Sequence, residues 1–458
     1  MERTDIYLYL IAENPLLLAP IVMVLIAFAL VPKDKKLFLT LLILVPWLTV
    51  ARSVGLGPIA AAAKLSSGGA FLLIAYAAFT HPSQKRDIPG ILWIYPAMAC
   101  IWFFLVLGVE ETSVALVLRV QWLVVTLAGL ALLRTIVTFE DFIRIINALT
   151  FGCLIALIIP ISALVLNPAD TFLRGLGRFA PWGANSNQIG MLFALSTPLI
   201  GYAMMTWKRI TLRPFLIFII ALIIGMALLT ASRMTLLAIA MVLFPIIIVL
   251  TRRPVVTLIG MSIMAGGLAW VMSMSEESNL VLMDRGLTSS RTIIWPQYIN
   301  DVFSQRPLFG LLGTTGESFF RAKEVAQHPH SAWFNLMYHG GLVLFIPMMT
   351  LVGYSSFAGY KVWKNRRLFG GDTLFYSIMF MLMIAMYVQG CFNQVVYWPT
   401  YTWSFLHVVL AGLFIAMWHD IRNGDIGWAL PSTIELEEEY EAELEEFEDF
   451  AEEKPAVV

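Results

Sequence analysis

RPFLIFIIALIIGMALLTASRMTLLAIAMVLFPIIIVL, residues 213–250, sets two apolar runs end to end with only Thr230-Ala-Ser232-Arg233-Met-Thr235 between them. Each run approaches the roughly 20 helical residues needed to cross a hydrocarbon core of about 30 Å. Neither carries a charge in its interior. The stretch therefore reads as a pair of membrane helices joined by a tight turn, with one guanidinium at the turn.

Outward from this pair the pattern repeats. Candidate spans fall near 14–32, 37–51, 67–80, 88–108, 114–133, 145–166, 187–206, 213–230, 234–251, 255–273, 332–356, 373–391 and 399–418. The predicted fold is an all-α polytopic membrane protein with about 12–13 transmembrane helices, 37–51 and 67–80 being the short ones. Composition points the same way. With 59% hydrophobic and 13% charged residues and a mean hydropathy of +0.79, the chain has more apolar surface than a soluble core of its length can hide.

Basic connectors orient these spans. With Lys33, Lys35 and Lys36 on the cytoplasmic side, alternation brings Lys85, Arg86, Arg134, Arg144, Lys208, Arg209, Arg213, Arg252, Arg253 and the basic cluster at 361–367 to that side too. The single long polar stretch, residues 275–331, then lies on the periplasmic or extracellular face, with Arg174, Arg178 and Arg233. An arginine at mid-helix costs roughly 2.5–3.5 kcal/mol on insertion scales, so one placed just inside a span calls for a function.

The chain divides into N-terminal transmembrane helices (1–166), a transmembrane core (167–430) that includes the outer loop 275–331, and a C-terminal tail (431–458). The tail holds twelve acidic side chains and one Lys, leaving 29 basic and 19 acidic residues ahead of it. It is expected to be cytoplasmic and solvated. Leu436, Tyr440, Leu444 and Phe447 recur at helical spacing, although repulsion among the glutamates opposes a helix there. Cys100, Cys153 and Cys391 sit in apolar segments and are expected to pack rather than pair. The first apolar run lacks a basic leader and a cleavage site, so its span is expected to be retained.

Three constellations carry chemistry. In Arg174-Gly-Leu-Gly-Arg178-Phe-Ala-Pro-Trp-Gly-Ala-Asn185-Ser-Asn187-Gln188, glycines permit close approach to a ligand. The amides stand at a helix start whose N–H groups favour an anion, although an ordinary polar helix cap explains the asparagines equally well. In Thr230-Ala-Ser232-Arg233-Met-Thr235, a guanidinium beside hydroxyls offers a bidentate fork to phosphate, where the bland alternative is an arginine that snorkels to the interface. The loop supplies Ser290-Arg291-Thr-Ile-Ile-Trp295, Arg306-Pro-Leu-Phe-Gly310 and His328-Pro-His330-Ser-Ala-Trp333. Arg291 can stabilise charge on a departing phosphate, and a histidine at a helix mouth can take a proton from a hydroxyl.

Together, Ser232-Arg233, Ser290-Arg291 with Trp295, Arg306-Pro-Leu-Phe-Gly310, and His330 with Trp333 and Gly341 resemble the O-antigen ligase and polymerase superfamily over residues 170–350. The resemblance implies transfer of a saccharide from a polyprenyl diphosphate carrier to an acceptor hydroxyl, outside the cytoplasmic (inner) membrane, with inversion and without a metal or other cofactor. It maps the family's two arginines onto Arg233 and Arg291, which would hold the diphosphate, and its catalytic histidine onto His330. Arg174, Arg178, Asn187 and Arg306 are further candidates for substrate binding. The implied partners are the lipid-linked glycan donor, a glycan, lipid or other acceptor, and membrane lipids; no nucleic acid is expected. Two positions depart from the family pattern. Ser331 stands where Asn is usual, and His339 where an acidic residue is common.

Three other readings compete. A polymerase would use a second lipid-linked glycan as acceptor. A metal-dependent lipid-linked glycosyltransferase would place carboxylates in an early outer loop, yet residues 52–67 contain neither Asp nor Glu. A polysaccharide or lipid transporter would show inverted repeats, broken helices and charges near the bilayer midplane.

Overall fold

The computed structural model describes residues 19–82, 85–105, 112–172, 177–207, 212–251, 291–310, 331–369, 373–393 and 401–424. The helices are α1 (Ala19–Leu30), α2 (Lys33–Arg52), α3 (Pro58–Leu65), α4 (Ser67–Thr80), α5 (Ile94–Leu105), α6 (Thr112–Arg134), α7 (Phe139–Ala156), α8 (Ile158–Leu166), α9 (Ser186–Thr206), α10 (Arg213–Leu229), α11 (Arg233–Thr251), α12 (Arg291–Gln305), α13 (Ala332–Lys364), α14 (Thr373–Gly390) and α15 (Thr402–Asn423). Among the described residues there is no strand. The one extended pairing is an isolated antiparallel bridge between Phe172 and Phe179.

The chain is thus an all-α, multi-pass membrane protein. Among the described residues, five helical segments are long and apolar enough to cross a bilayer, namely α7 with α8, α9, α13, α14 and α15, and the bent pair α3–α4 makes a sixth. Shorter apolar helices lie at Ile21–Leu30, Gly90–Leu105, Arg213–Leu229 and Arg233–Ile248. Helices occupy twelve of the thirteen expected segments, and the remaining one, 255–273, lies outside the described residues. Large apolar side chains point outward around the bundle, among them Phe218 (63% exposed) and Leu166 (72%). In water that surface would be untenable; in hydrocarbon it is the solvated face.

Helices α9 and α15 form the middle of the bundle. Some 83% of the α9 span and 78% of the α15 span is buried, so both are apolar on every side, as a core helix must be. Small residues let the neighbours close in. A Cβ at Gly152 of α7 would lie 2.7 Å from the Leu42 carbonyl oxygen of α2, and one at Gly190 of α9 would lie 2.1 Å from Thr235 Oγ1 of α11. One continuous apolar core runs from Phe28 to Met417. Cys153 is buried, Cys100 and Cys391 are half-buried, and all three are free thiols.

Two segments differ from the sequence reading in shape. The expected 145–166 span begins at Phe139, where Thr138 and Asp141 form a reciprocal capping box, and is interrupted at Leu157. The expected 332–356 span continues to Lys364 but breaks at Gly341, whose φ of 59° and ψ of −156° belong to no helix. At one end of the bundle Arg86 pairs with Asp420 at 3.0 Å, and the Arg86 N–H donates to the Arg134 carbonyl at 2.8 Å. The opposite end carries the candidate site.

Candidate functional site

The turn between α10 and α11 is built to expose Arg233 without unravelling either helix. Ala231 takes a left-handed φ of 50°, which reverses the chain in a few residues. Thr230 and Thr235 are fully buried, and Ser232 is nearly so. The Ser232 N–H donates to Thr230 Oγ1 (3.2 Å), and Thr235 Oγ1 donates to Ser232 Oγ (2.9 Å). These bonds satisfy the hydroxyls and leave half-buried Arg233 as the first residue of α11.

Arg178 stitches this turn to α9. Its Nε donates to the Thr230 carbonyl (2.9 Å) and its Nη2 to Asn187 Oδ1 (3.0 Å). The next residue, Phe179, donates its N–H to the Leu229 carbonyl at 2.9 Å. Asn185 caps α9 through its side-chain oxygen, which accepts from the Asn187 N–H at 2.9 Å. Asn187 therefore holds Arg178 from the first turn of a helix whose N-terminal end favours negative charge. Arg174 lies outside the described residues.

The mouth of α14 gathers the remaining pieces. Gln389, fully buried, donates through Nε2 to the Met234 carbonyl at 3.0 Å, one residue beyond Arg233. Asn393 Nδ2 donates in turn to Gln389 Oε1 at 3.3 Å. The adjacent Gly390 carbonyl accepts from Ser331 Oγ at 3.5 Å, and Ser331 also caps α13 by accepting from the Phe334 N–H at 3.4 Å. Two neighbouring residues of α14 thus anchor the residue after Arg233 and the residue after His330. His330 and His328 themselves lie outside the described residues.

Helix α12 arrives at the same place through its aromatic. The Trp295 ring lies 4.9 Å from Phe334 of α13 and 6.1 Å from Phe392, just past α14, centroid to centroid. Arg291 is the first residue of this helix, about one turn before Trp295. At the other end Arg306 is exposed, and the four residues after it dock on the break in α13. The Leu342 N–H donates to the Pro307 carbonyl (2.9 Å) and the Val343 N–H to the Leu308 carbonyl (3.1 Å). Gly310 and Gly341, both at positive φ, make the approach possible; a Cβ at Gly341 would lie 2.4 Å from the Leu308 carbonyl. The Arg306-Pro-Leu-Phe-Gly310 motif and the glycine pair thus form one joint.

The described residues bring together Arg178, Asn187 and Arg233, and Gln389 and Gly390 link this group to Ser331 at the start of α13, on which α12 packs through Trp295. His339 is not part of this cluster's surface, being 2% exposed about two turns down α13, beside Tyr338 and Trp102. Gln389 and Asn393 escaped the sequence reading because two amides at the end of an apolar run resemble an interfacial flourish. No group of three or more His, Cys, Asp or Glu side chains suited to a metal occurs among the described residues. Comparison with family models, characterised proteins and solved structures finds no match.

Proposed function

We propose that this chain is a membrane glycosyltransferase of the O-antigen ligase kind. It moves a saccharide from a polyprenyl diphosphate carrier to an acceptor hydroxyl at the outer face of the cytoplasmic membrane. The observation that carries this reading is the joint anchoring of Met234 and Ser331 by Gln389 and Gly390. It puts the backbone beside Arg233 and the backbone beside His330 on one helix end, although about a hundred residues separate them in sequence.

In this reading Arg233 and Arg291 neutralise the diphosphate, which makes it a good leaving group in a water-poor setting. Arg178, already oriented by Thr230 and Asn187, is placed to support the same charge. The acceptor oxygen attacks the anomeric carbon, the bond from that carbon to the diphosphate breaks with its electron pair leaving on phosphate, and His330 takes the hydroxyl proton. Inversion follows from a single displacement. A polymerase differs only in using a second carrier-linked glycan as acceptor.

Two observations favour a transporter instead. Arg119 is 1% exposed inside α6, stacked 4.6 Å from the Trp102 ring, and α13 is a broken helix. Buried charge and broken helices are features of carriers. The deciding experiment incubates detergent-purified protein with a defined polyprenyl diphosphate glycan and candidate acceptors, then analyses products by mass spectrometry. Glycan on the acceptor supports transfer, because micelles have no second compartment; donor left intact with every acceptor while vesicles show uptake would replace this reading with transport.

A further inference from the structure

The first turn of α9 is approached by a second guanidinium, from α2. Arg52 is the last residue of that helix, and the chain after it lies directly on the turn at residues 181–183. A Cβ at Gly55 would fall 2.9 Å from the Trp182 carbonyl carbon and oxygen, so the two backbones meet where only glycine fits. Trp182 is itself fixed, with a left-handed φ of 51° and its indole N–H donating to the Ile159 carbonyl (3.2 Å) and to Ser162 Oγ (3.1 Å).

These contacts hold Arg52 over Tyr401. The guanidinium carbon lies 4.0 Å from the ring centroid, and the Tyr401 hydroxyl accepts from Gln188 Nε2 at 2.8 Å. Arg52, Thr49, Ala184, Gln188, Tyr401 and Thr402 line a small cleft between α2, α9 and the start of α15. Nε and Nη2 of Arg52 are shielded from solvent, and neither has a hydrogen-bond partner among the described residues. Stacking on an aromatic face satisfies the charge of a guanidinium but not its in-plane donors. Nε and Nη2 form one edge of the fork, spaced for two oxygens of a single phosphate. No carboxylate among the described residues lines the cleft to occupy that edge.

We infer that this cleft is a binding subsite for a phosphate-class anion, with Arg52 as its bidentate ligand. Tyr401 supports the guanidinium from below, and Gln188 fixes Tyr401. Asn187, the neighbour of Gln188, holds Arg178, so the two arginines flank consecutive residues of one helical turn. The inference rests on the transferase reading only for the origin of the phosphate, which would be the carrier diphosphate. A phospholipid headgroup offers the same chemistry.

Binding of labelled farnesyl diphosphate to the full-length protein in detergent tests the inference without requiring transfer. Wild type should bind it, Arg52→Ala should weaken binding by roughly tenfold or more, and Arg52→Lys should fall between them, having charge but no fork. Tyr401→Phe, which keeps the ring and frees Gln188, should cost less than Arg52→Ala. Thermal unfolding and elution profile check folding, and Arg52→Lys remains informative if the alanine variant fails to fold. Inorganic diphosphate should compete with the labelled probe, and phosphatidic acid should compete weakly. Equal competition by phosphatidic acid would keep the subsite and assign it to phospholipid. Wild-type affinity in both Arg52 variants, or no binding by wild type, overturns the subsite. Because the readout is binding, loss in Arg52→Ala supports the subsite even where no glycan transfer is found.

Discussion

Arg178 ties its own loop to two other pieces of chain with one side chain, and that determines what its replacement should do. Arg178→Lys cannot reach the Thr230 carbonyl and Asn187 Oδ1 together, because a lysine presents a point charge rather than a fork. We expect transfer to fall by about tenfold to a hundredfold with the protein still folded, since losing one positioning contact upsets the geometry of a reacting pair. Kinetics at matched expression would check this, and unchanged turnover would reduce Arg178 to a loop tie. Arg233→Lys should be at least as severe if Arg233 grips the diphosphate. His330→Ala should abolish transfer while leaving donor binding near wild type; an inactive His339→Ala beside an active His330→Ala would reverse the assignment. The arginines were legible in the sequence because a cation between two apolar runs is conspicuous. Arg52 was not, since it ends a short span like any interfacial arginine, and only its seat on Tyr401 sets it apart.

At the scale of elements, α13 and α14 do the organising. The break at Gly341 was hidden because a Gly-Gly pair inside an apolar run is tolerated in membrane helices, so hydropathy gives no sign of an interruption. Gly341→Ala places a methyl against the Leu308 carbonyl and forces a left-handed φ on a residue with a Cβ. It should destabilise the protein by about 1–3 kcal/mol, visible as a lowered unfolding midpoint in detergent. A midpoint unchanged from wild type would mean that the joint between α13 and residues 307–310 does not form. Gln389→Leu makes the opposite separation. Hydrogen bonds between membrane helices average about 0.6 kcal/mol, so stability should barely move. Transfer should nevertheless drop severalfold, because the tie between the mouths of α11 and α14 is gone. Wild-type turnover in this variant would refute the anchoring argument.

At the scale of the molecule, nearly every described helix stands where hydropathy placed it, because twenty apolar residues in a bilayer have one way to satisfy their backbone. What hydropathy does not encode is which helix ends meet, and that requires contacts such as Gln188 with Tyr401 across 213 residues. The basic connectors predict an orientation that is open to test. With Cys100 and Cys391 replaced by serine, single cysteines at Ser278 and Lys323, both outside the described residues, should react with a membrane-impermeant reagent in intact spheroplasts. A cysteine at Asn365, at the far end of α13, should not. Equal labelling at all three positions would remove the proposed site from the outer face.

The joint at Gly341 has one more consequence. Residues 307–310 dock on α13 and Ser331 caps the same helix, so the chain on either side of residues 311–330 is fixed to α13. Closing a segment held in this way is undemanding, since each doubling of its length adds only about 0.6 kcal/mol of closure entropy. On the transferase reading proposed above, diversification of acceptor choice can proceed in residues 311–327 with His330 and the arginines of the donor site retained.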